Sequence, residues 1–151
     1  MDRLHLKQAT PDDIGILQSL ERHGDFGIPI RSKWNWLNQY AAYTDREILE
    51  GVYLAELDGE SVGYTIINKV IDRHHIQETV LHSDYHGQGL GNEMTKFGAE
   101  FGNVWCEVRV DNEPSIKMCL RQGFVKHSFI RNFYRDGCDA VLMVSKDWQS
   151  Y

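Results

Sequence analysis

A mixed α/β domain is the fold class this sequence predicts, on three observations. β-rich runs and helical patterns are interleaved along the whole chain. A strand, a glycine loop and a helix follow one another at Val80 to Asn92, VLHSDYHGQGLGN. No repeat, low-complexity tract or linker divides the 151 residues, so residues 1–151 read as a single domain.

The elements follow in order. Leu4 and Leu6 alternate with polar Arg3, His5 and Lys7, as in a half-buried first strand. Thr10-Pro11-Asp12-Asp13 supplies an N-cap, a proline at the first helical position and acids in the first turn. Ile14, Leu17 and Leu20 then mark the apolar face of a helix reaching about Arg22. His23 to Pro29 is a loop. Ser32 to Tyr43 reads as a second helix with Trp34, Leu37, Tyr40 and Ala41 spaced helically. Its rings suit core packing, or the lining of an acceptor pocket.

Val52 to Leu57 and Ser61 to Ile71 flank Asp58-Gly59, a hairpin signal. Asp72-Arg73 turns the chain into a further run from about His74 to Leu81. Three antiparallel strands thus lead to the glycine loop. Leu90, Met94, Phe97 and Phe101 give the next helix one apolar face, and Gly102-Asn103 ends it. Val104 to Val110 is a strand with Val104, Cys106, Val108 and Val110 on one side and Trp105, Glu107 and Arg109 on the other. Asn112 caps a helix that runs to Gln122-Gly123. Phe124 to Phe133 and Ala140 to Ser145 are the last strands, joined by an Arg135-Asp136-Gly137 turn. The expected order is β-α-α-β-β-β-α-β-α-β-β.

Composition narrows the function classes. The net charge of −6 disfavours a nucleic-acid partner, which needs a basic face, and suits a cationic substrate such as an amine. Three cysteines without a CxxC pair disfavour a disulfide framework or a structural zinc site, so no metal is expected. No apolar run approaches a membrane span and MDRLHLKQ has no signal-peptide core. A cytoplasmic protein without a membrane partner is the expectation.

The glycine loop points free main-chain N–H groups at one spot, with the positive end of a helix dipole behind them. That is a phosphate site. A P-loop would need GK[ST] after its second glycine, and none follows. A dinucleotide fingerprint would need GxGxxG in a βαβ unit, whereas here the spacing is GxGxG after antiparallel strands. The pyrophosphate arm of coenzyme A is the third candidate.

HGQGLG, followed sixteen residues after Gly91 by EVRVDNEPSIKMCLRQGF, resembles the GCN5-related N-acetyltransferases (GNAT). The family's two central motifs are a [QR]xxGxG loop and an N-x-x-[AS] helix start leading to GF. The second stands here as Asn112-Glu113-Pro114-Ser115 through Gly123-Phe124. The resemblance implies a GNAT-like fold: a central, mostly antiparallel twisted sheet, splayed between strands four and five, with helices on both faces. It implies an N-acetyltransferase that moves the acetyl group of acetyl-CoA directly to a primary amine. Within the family, EVRVDN and Arg131-Asn132-Phe133-Tyr134 with Asp139-Ala140 are similar to the ribosomal-protein N-terminal alanine acetyltransferases (RimI type). The acceptor is then a protein N-terminus or a small amine, shaped by segments 23–36 and 129–138, in a monomer or homodimer. A non-catalytic acyl-CoA-binding module and an aminoacyl-tRNA acetyltransferase are the alternatives.

By the same resemblance, Gly87, Gln88, Gly89, Leu90, Gly91 and Asn92 cradle the pyrophosphate. Thr79, Val80 and Leu81 pair with the pantetheine as an added strand would, with an N–H near Leu81 on the oxyanion. In isolation these three are also an ordinary core strand. Asn112 and Ser115 carry over as cofactor contacts, and Asn112 is equally a helix cap. His86 stands where the family has Gln or Arg. Glu107 falls at the position of the general base, which frees the amine of its proton. Its alternative is an ion pair with Arg109. Cys119, twelve residues after Glu107, replaces the family's usual tyrosine acid. It is either a thiol acid or a packing residue, and Tyr134 could serve as acid or shape the acceptor site.

Overall fold

Asp58 and Gly59 both take positive φ, 50° and 86°, as a tight hairpin turn with the right twist demands. They join β2 (Val52–Leu57) to β3 (Glu60–Val70), antiparallel from Val52↔Ile66 to Leu57↔Glu60. The computed structural model describes residues 2–24 and 49–149. The expected helix at Ser32 to Tyr43, and the acceptor loop 23–36 apart from His23 and Gly24, lie outside them.

Two compact units share the chain: residues 1–67 with 78–90, and residues 68–77 with 91–151. In the first, β1 (His5–Gln8) pairs antiparallel with β2. Thr10 begins the next turn, its main-chain N–H donating to the Asp13 carboxylate at 2.8 Å. A short 3-10 turn, Pro11–Asp13, feeds α1 (Ile14–Glu21). Ile14, Leu17 and Leu20, the predicted face, are buried with Leu49, Val52, Leu54, Tyr64, Ile66 and Val80. This cluster roots the strand end that leads into the glycine loop.

In the second unit, β5 (Val104–Arg109) pairs antiparallel with β7 (Ala140–Val144), and β7 with β6 (Val125–Ile130). β4 (Arg73–Leu81) meets β5 in parallel at His74↔Val104 and His75↔Trp105. The ladder has two pairs, although β5 continues to Arg109. Helices α2 (Leu90–Ala99) and α3 (Glu113–Arg121) complete the described elements. Val104, Cys106 and Val108 are buried with Cys119, Phe124, Val141 and Met143, so one face of β5 is core. The strands form a seven-stranded sheet in the order β1-β2-β3-β4-β5-β7-β6, mostly antiparallel with one parallel pair.

Several boundaries differ from expectation. The β3–β4 turn is Ile71-Asp72, and Arg73 already belongs to β4, so the turn falls one residue early. It holds Ile71 at φ 59°, 84% exposed, a conformation β-branched residues avoid. Sequence pattern favours Asp over Ile in turns, which misplaced it. α2 stops at Ala99 because its last turn tightens: Phe101 and Gly102 donate to the Gly98 and Ala99 carbonyls. β6 is six residues, shorter than Phe124 to Phe133.

Candidate functional site

The glycine loop lies in the first unit up to Leu90. β4 ends at Leu81, and a 3-10 turn (Ser83–Tyr85) follows, capped by His82, whose Nδ1 accepts from the Asp84 N–H at 3.1 Å. Gly87 and Gly89 take φ of 80° and 81°, left-handed backbone that L side chains resist. No atom lies within 4 Å of a Cβ built on either. Residues 86–89 are exposed, and Arg3 donates to the Gln88 carbonyl. The His86 side chain folds back along the loop, its Nε2 lying 2.8 Å from the Leu81 carbonyl. Thr79 and Val80 stand on the strand as predicted. Val80 is buried in the core cluster, and the Thr79 hydroxyl lies 2.9 Å from that of Thr65.

Gly91 and Asn92 belong to the second unit. A Cβ on Gly91 would fall 2.7 Å from Met118 Sδ, so the Met118 side chain of helix α3 rests against the glycine and would have to move aside for a larger residue. The Asn92 amide oxygen is buried without a hydrogen-bond partner among the described residues. Such an acceptor costs folding energy and marks a place where a donor could be received. Asn112 caps α3: its Oδ1 accepts the Ser115 N–H at 3.3 Å. The two predicted contacts are therefore joined to each other.

On β5, alternation puts Trp105, Glu107 and Arg109 on the face away from the buried cluster. The alternative, a Glu107–Arg109 ion pair, does not form. Arg109 donates instead to Asp111 (Nε–Oδ1, 3.1 Å) and to Asp136 (Nη2–Oδ2, 2.6 Å). Those bonds push the guanidinium pKa up and hold the Asp136 carboxyl below its usual range. Glu107 is met by His75, whose Nε2 lies 2.7 Å from Oε1 and 3.1 Å from Oε2. Sequence reasoning missed His75. Its signal was the His74-His75 step at the start of β4, where one imidazole must share a face with alternate residues of the neighbouring strand.

Tyr134 sits in the β6–β7 loop with its ring 4.9 Å from the Arg109 guanidinium carbon. The loop is cross-braced: Tyr134 N–H donates to the Cys138 carbonyl and Asn132 N–H to Asp139 Oδ1. Cys119 lies elsewhere. It is buried in the apolar cluster beside Cys106, on the other face of β5 from Glu107. Interaction with the neighbouring Cys119 sulfur, together with burial, raises the Cys106 thiol well above its ordinary value. The same interaction lowers Cys119.

The acetyltransferase (GNAT) family model matches residues 17–124. An N-alpha-acetyltransferase of Sulfurisphaera tokodaii is 27% identical over 121 residues, covering 66% of this chain and 71% of its own length. A putative ribosomal protein bS18-alanine N-acetyltransferase of Bacillus subtilis is 31% identical over 108 residues, covering 64% and 72%. A spermidine N-acetyltransferase chimera from Vibrio cholerae and hSSAT superposes with a TM-score of 0.81 at 11% identity, over 95% of each chain, which shows a shared fold.

Proposed function

The chain belongs to the GNAT family of acetyltransferases and is an N-acetyltransferase, and from that premise we propose that it carries the acetyl group of acetyl-CoA to the α-amine of a protein N-terminus. The observation that carries the catalytic assignment is the state of Glu107. Its carboxylate is held by a neighbouring imidazole, while Arg109 is engaged by Asp111 and Asp136. Glu107 is thus not locked in an ion pair with Arg109, and it acts as general base, directly or through a water.

Two considerations support an α-amine. Relatives that share stretches of this sequence are named for transfer to protein α-amines. An α-amino group also ionises near pH 8, against about 10.4 for a lysine-type amine, so far more of it is already neutral at pH 7. The base step is correspondingly easier.

In this proposal residues 1–151 act as one acetyltransferase domain. Gly87, Gln88, Gly89, Leu90, Gly91 and Asn92 receive the pyrophosphate through main-chain N–H groups. Thr79, Val80 and Leu81 align the pantetheine, with an N–H near Leu81 for the oxyanion. Asn112 and Ser115 contact the cofactor from the start of α3. Glu107 takes the amine's proton, the nitrogen attacks the thioester carbon, and the carbon–sulfur bond breaks to release the thiolate. Burial against Cys106 favours packing as the work of Cys119. Tyr134 shapes the acceptor site or returns a proton to the leaving thiolate. Among the described residues no helix is long and apolar enough to cross a membrane, and the proposed site of action is the cytoplasm.

Coenzyme A release, measured with acetyl-CoA and a panel of peptides with free N-termini, polyamines, amino acids and amino sugars, tests the acceptor. Turnover fastest on peptides, and lost when their N-termini are blocked, is the expected result. Preference for a polyamine or amino sugar would overturn it.

A further inference from the structure

Beneath the proposed base lies a built support. β4 and β5 pair only at His74↔Val104 and His75↔Trp105, and this register sets the His75 ring on the same face as Trp105 and Glu107. His75 and Glu107 are both largely buried, with side chains 21% and 14% exposed. The ring is held flat by stacking on Trp105, centroids 4.6 Å apart and planes at 22°. Trp148 meets Trp105 edge-on at 5.9 Å, and the Arg73 guanidinium lies 3.9 Å above Trp148. Arg73 in turn donates to the Gln149 carbonyl. An imidazole gripped this way has little rotational freedom.

The tautomer follows from the contacts. A bare nitrogen lone pair facing two carboxylate oxygens is repelled, so Nε2 carries the hydrogen and donates to Glu107. Other charged neighbours are turned elsewhere. Arg109 binds Asp111 and Asp136, His74 Nδ1 lies 3.0 Å from the Gly102 carbonyl, and β7 places Leu142 opposite Glu107.

We propose that His75 is a positioning residue for acetyl transfer: its Nε2–H grips the Glu107 carboxylate and fixes the rotamer from which the remaining lone pairs meet the acceptor amine. The proposal rests on Glu107 being the base. A carboxylate offers about four lone-pair sites, and one donated hydrogen leaves the others to act. In the step itself an ammonium N–H bond breaks and its proton becomes the Glu107 O–H. The freed electron pair forms the bond to the acetyl carbon, the carbon–sulfur bond breaks, and the second proton shed by the new amide nitrogen passes to the departing thiolate. His75 keeps its own proton throughout. The gain is orientation, for which a misplaced group can cost about 10²-fold in rate.

The test is steady-state kinetics by coenzyme A release, with acetyl-CoA and the fastest amine of the panel, on five variants. His75→Ala and His75→Phe should lower kcat about 10- to 100-fold, with the KM for acetyl-CoA within about twofold. Phe keeps a ring on Trp105 and so controls for packing. His75→Gln restores an N–H donor and should recover most of the rate, although it cannot shuttle a proton. In a Glu107→Gln background, His75→Ala should cost nothing more, because coupled residues lose their effects together. Four outcomes overturn the proposal: native rates in His75→Phe, a His75→Gln as slow as His75→Ala, a full further loss in the Glu107→Gln background, or fast turnover by Glu107→Gln itself. Only the last also removes the base assignment. Should His75→Ala fail to fold, the Phe and Gln variants decide between them.

Discussion

In the proposed mechanism the glycine loop and the outward face of β5 contribute by opposite means. Residues 87–91 are proposed to act through main chain. What matters there is left-handed backbone at Gly87 and Gly89 and the absence of a Cβ at Gly91, where Met118 closes in to 2.7 Å of where one would stand. A side-chain change such as His86 in place of Gln or Arg leaves that geometry untouched. The face of β5 works through side chains, each defined by its neighbour. The proposed base Glu107 is met by His75, while Arg109 is engaged by Asp111 and Asp136. A site made of backbone tolerates sequence drift around its glycines. One made of side chains is rewritten by a single partner.

The contrast is sharpest in Glu107→Gln. That variant should lose about 10²- to 10⁴-fold in kcat and keep its acetyl-CoA affinity, read by coenzyme A release and by titration calorimetry. Matching losses in rate and affinity would show that the two regions do not divide the work. Gly89→Ala should do the reverse. Forcing an L side chain to φ 81° costs about 1–2 kcal/mol. If that strain is relieved by reshaping the loop, acetyl-CoA binds about 5- to 30-fold more weakly while kcat at saturation holds. A fall in kcat with unchanged affinity would break the comparison. The smallest effect belongs to Cys119→Ala. Removing a buried sulfur should lower the urea midpoint by about 1 kcal/mol in stability and leave kcat within about twofold. A large kcat loss near neutral pH would instead make Cys119 the acid.

Much of the fold was legible because local chemistry and tertiary packing agree. Asp58-Gly59 demanded a hairpin, Thr10 through Asp13 a helix start, and Ile14, Leu17 and Leu20 one buried face; each stands where expected. Ile71 shows the limit. The turn falls at Ile71-Asp72 between β3 and β4, and no local preference of an isoleucine announces it. The candidate site divides in the same way. Glycine spacing is itself the requirement of a phosphate loop, so it can be read from the chain. His75 gave only the weaker signal of the His74-His75 step, since its partner Glu107 lies 32 residues away across a ladder of two pairs. Arg109 misled for a similar reason: residues two apart on a strand share a face, but Asp136 arrives from the β6–β7 loop to claim the guanidinium.

The residues after β7 have a consequence for how the protein can be cut and tagged. Ser145 Oγ accepts the Val104 N–H and donates to Asp147, whose carboxylate takes the Asn103 N–H at 3.1 Å. Gln149 N–H donates to the Asn103 side chain, and Trp148 closes on Trp105. A fragment ending at Val144 would keep all seven strands on paper. It would lose the clasp on the entry to β5 and the outer half of the stack beneath His75. Affinity tags and fusion partners therefore belong ahead of β1, or behind a spacer that lets residues 145–149 close.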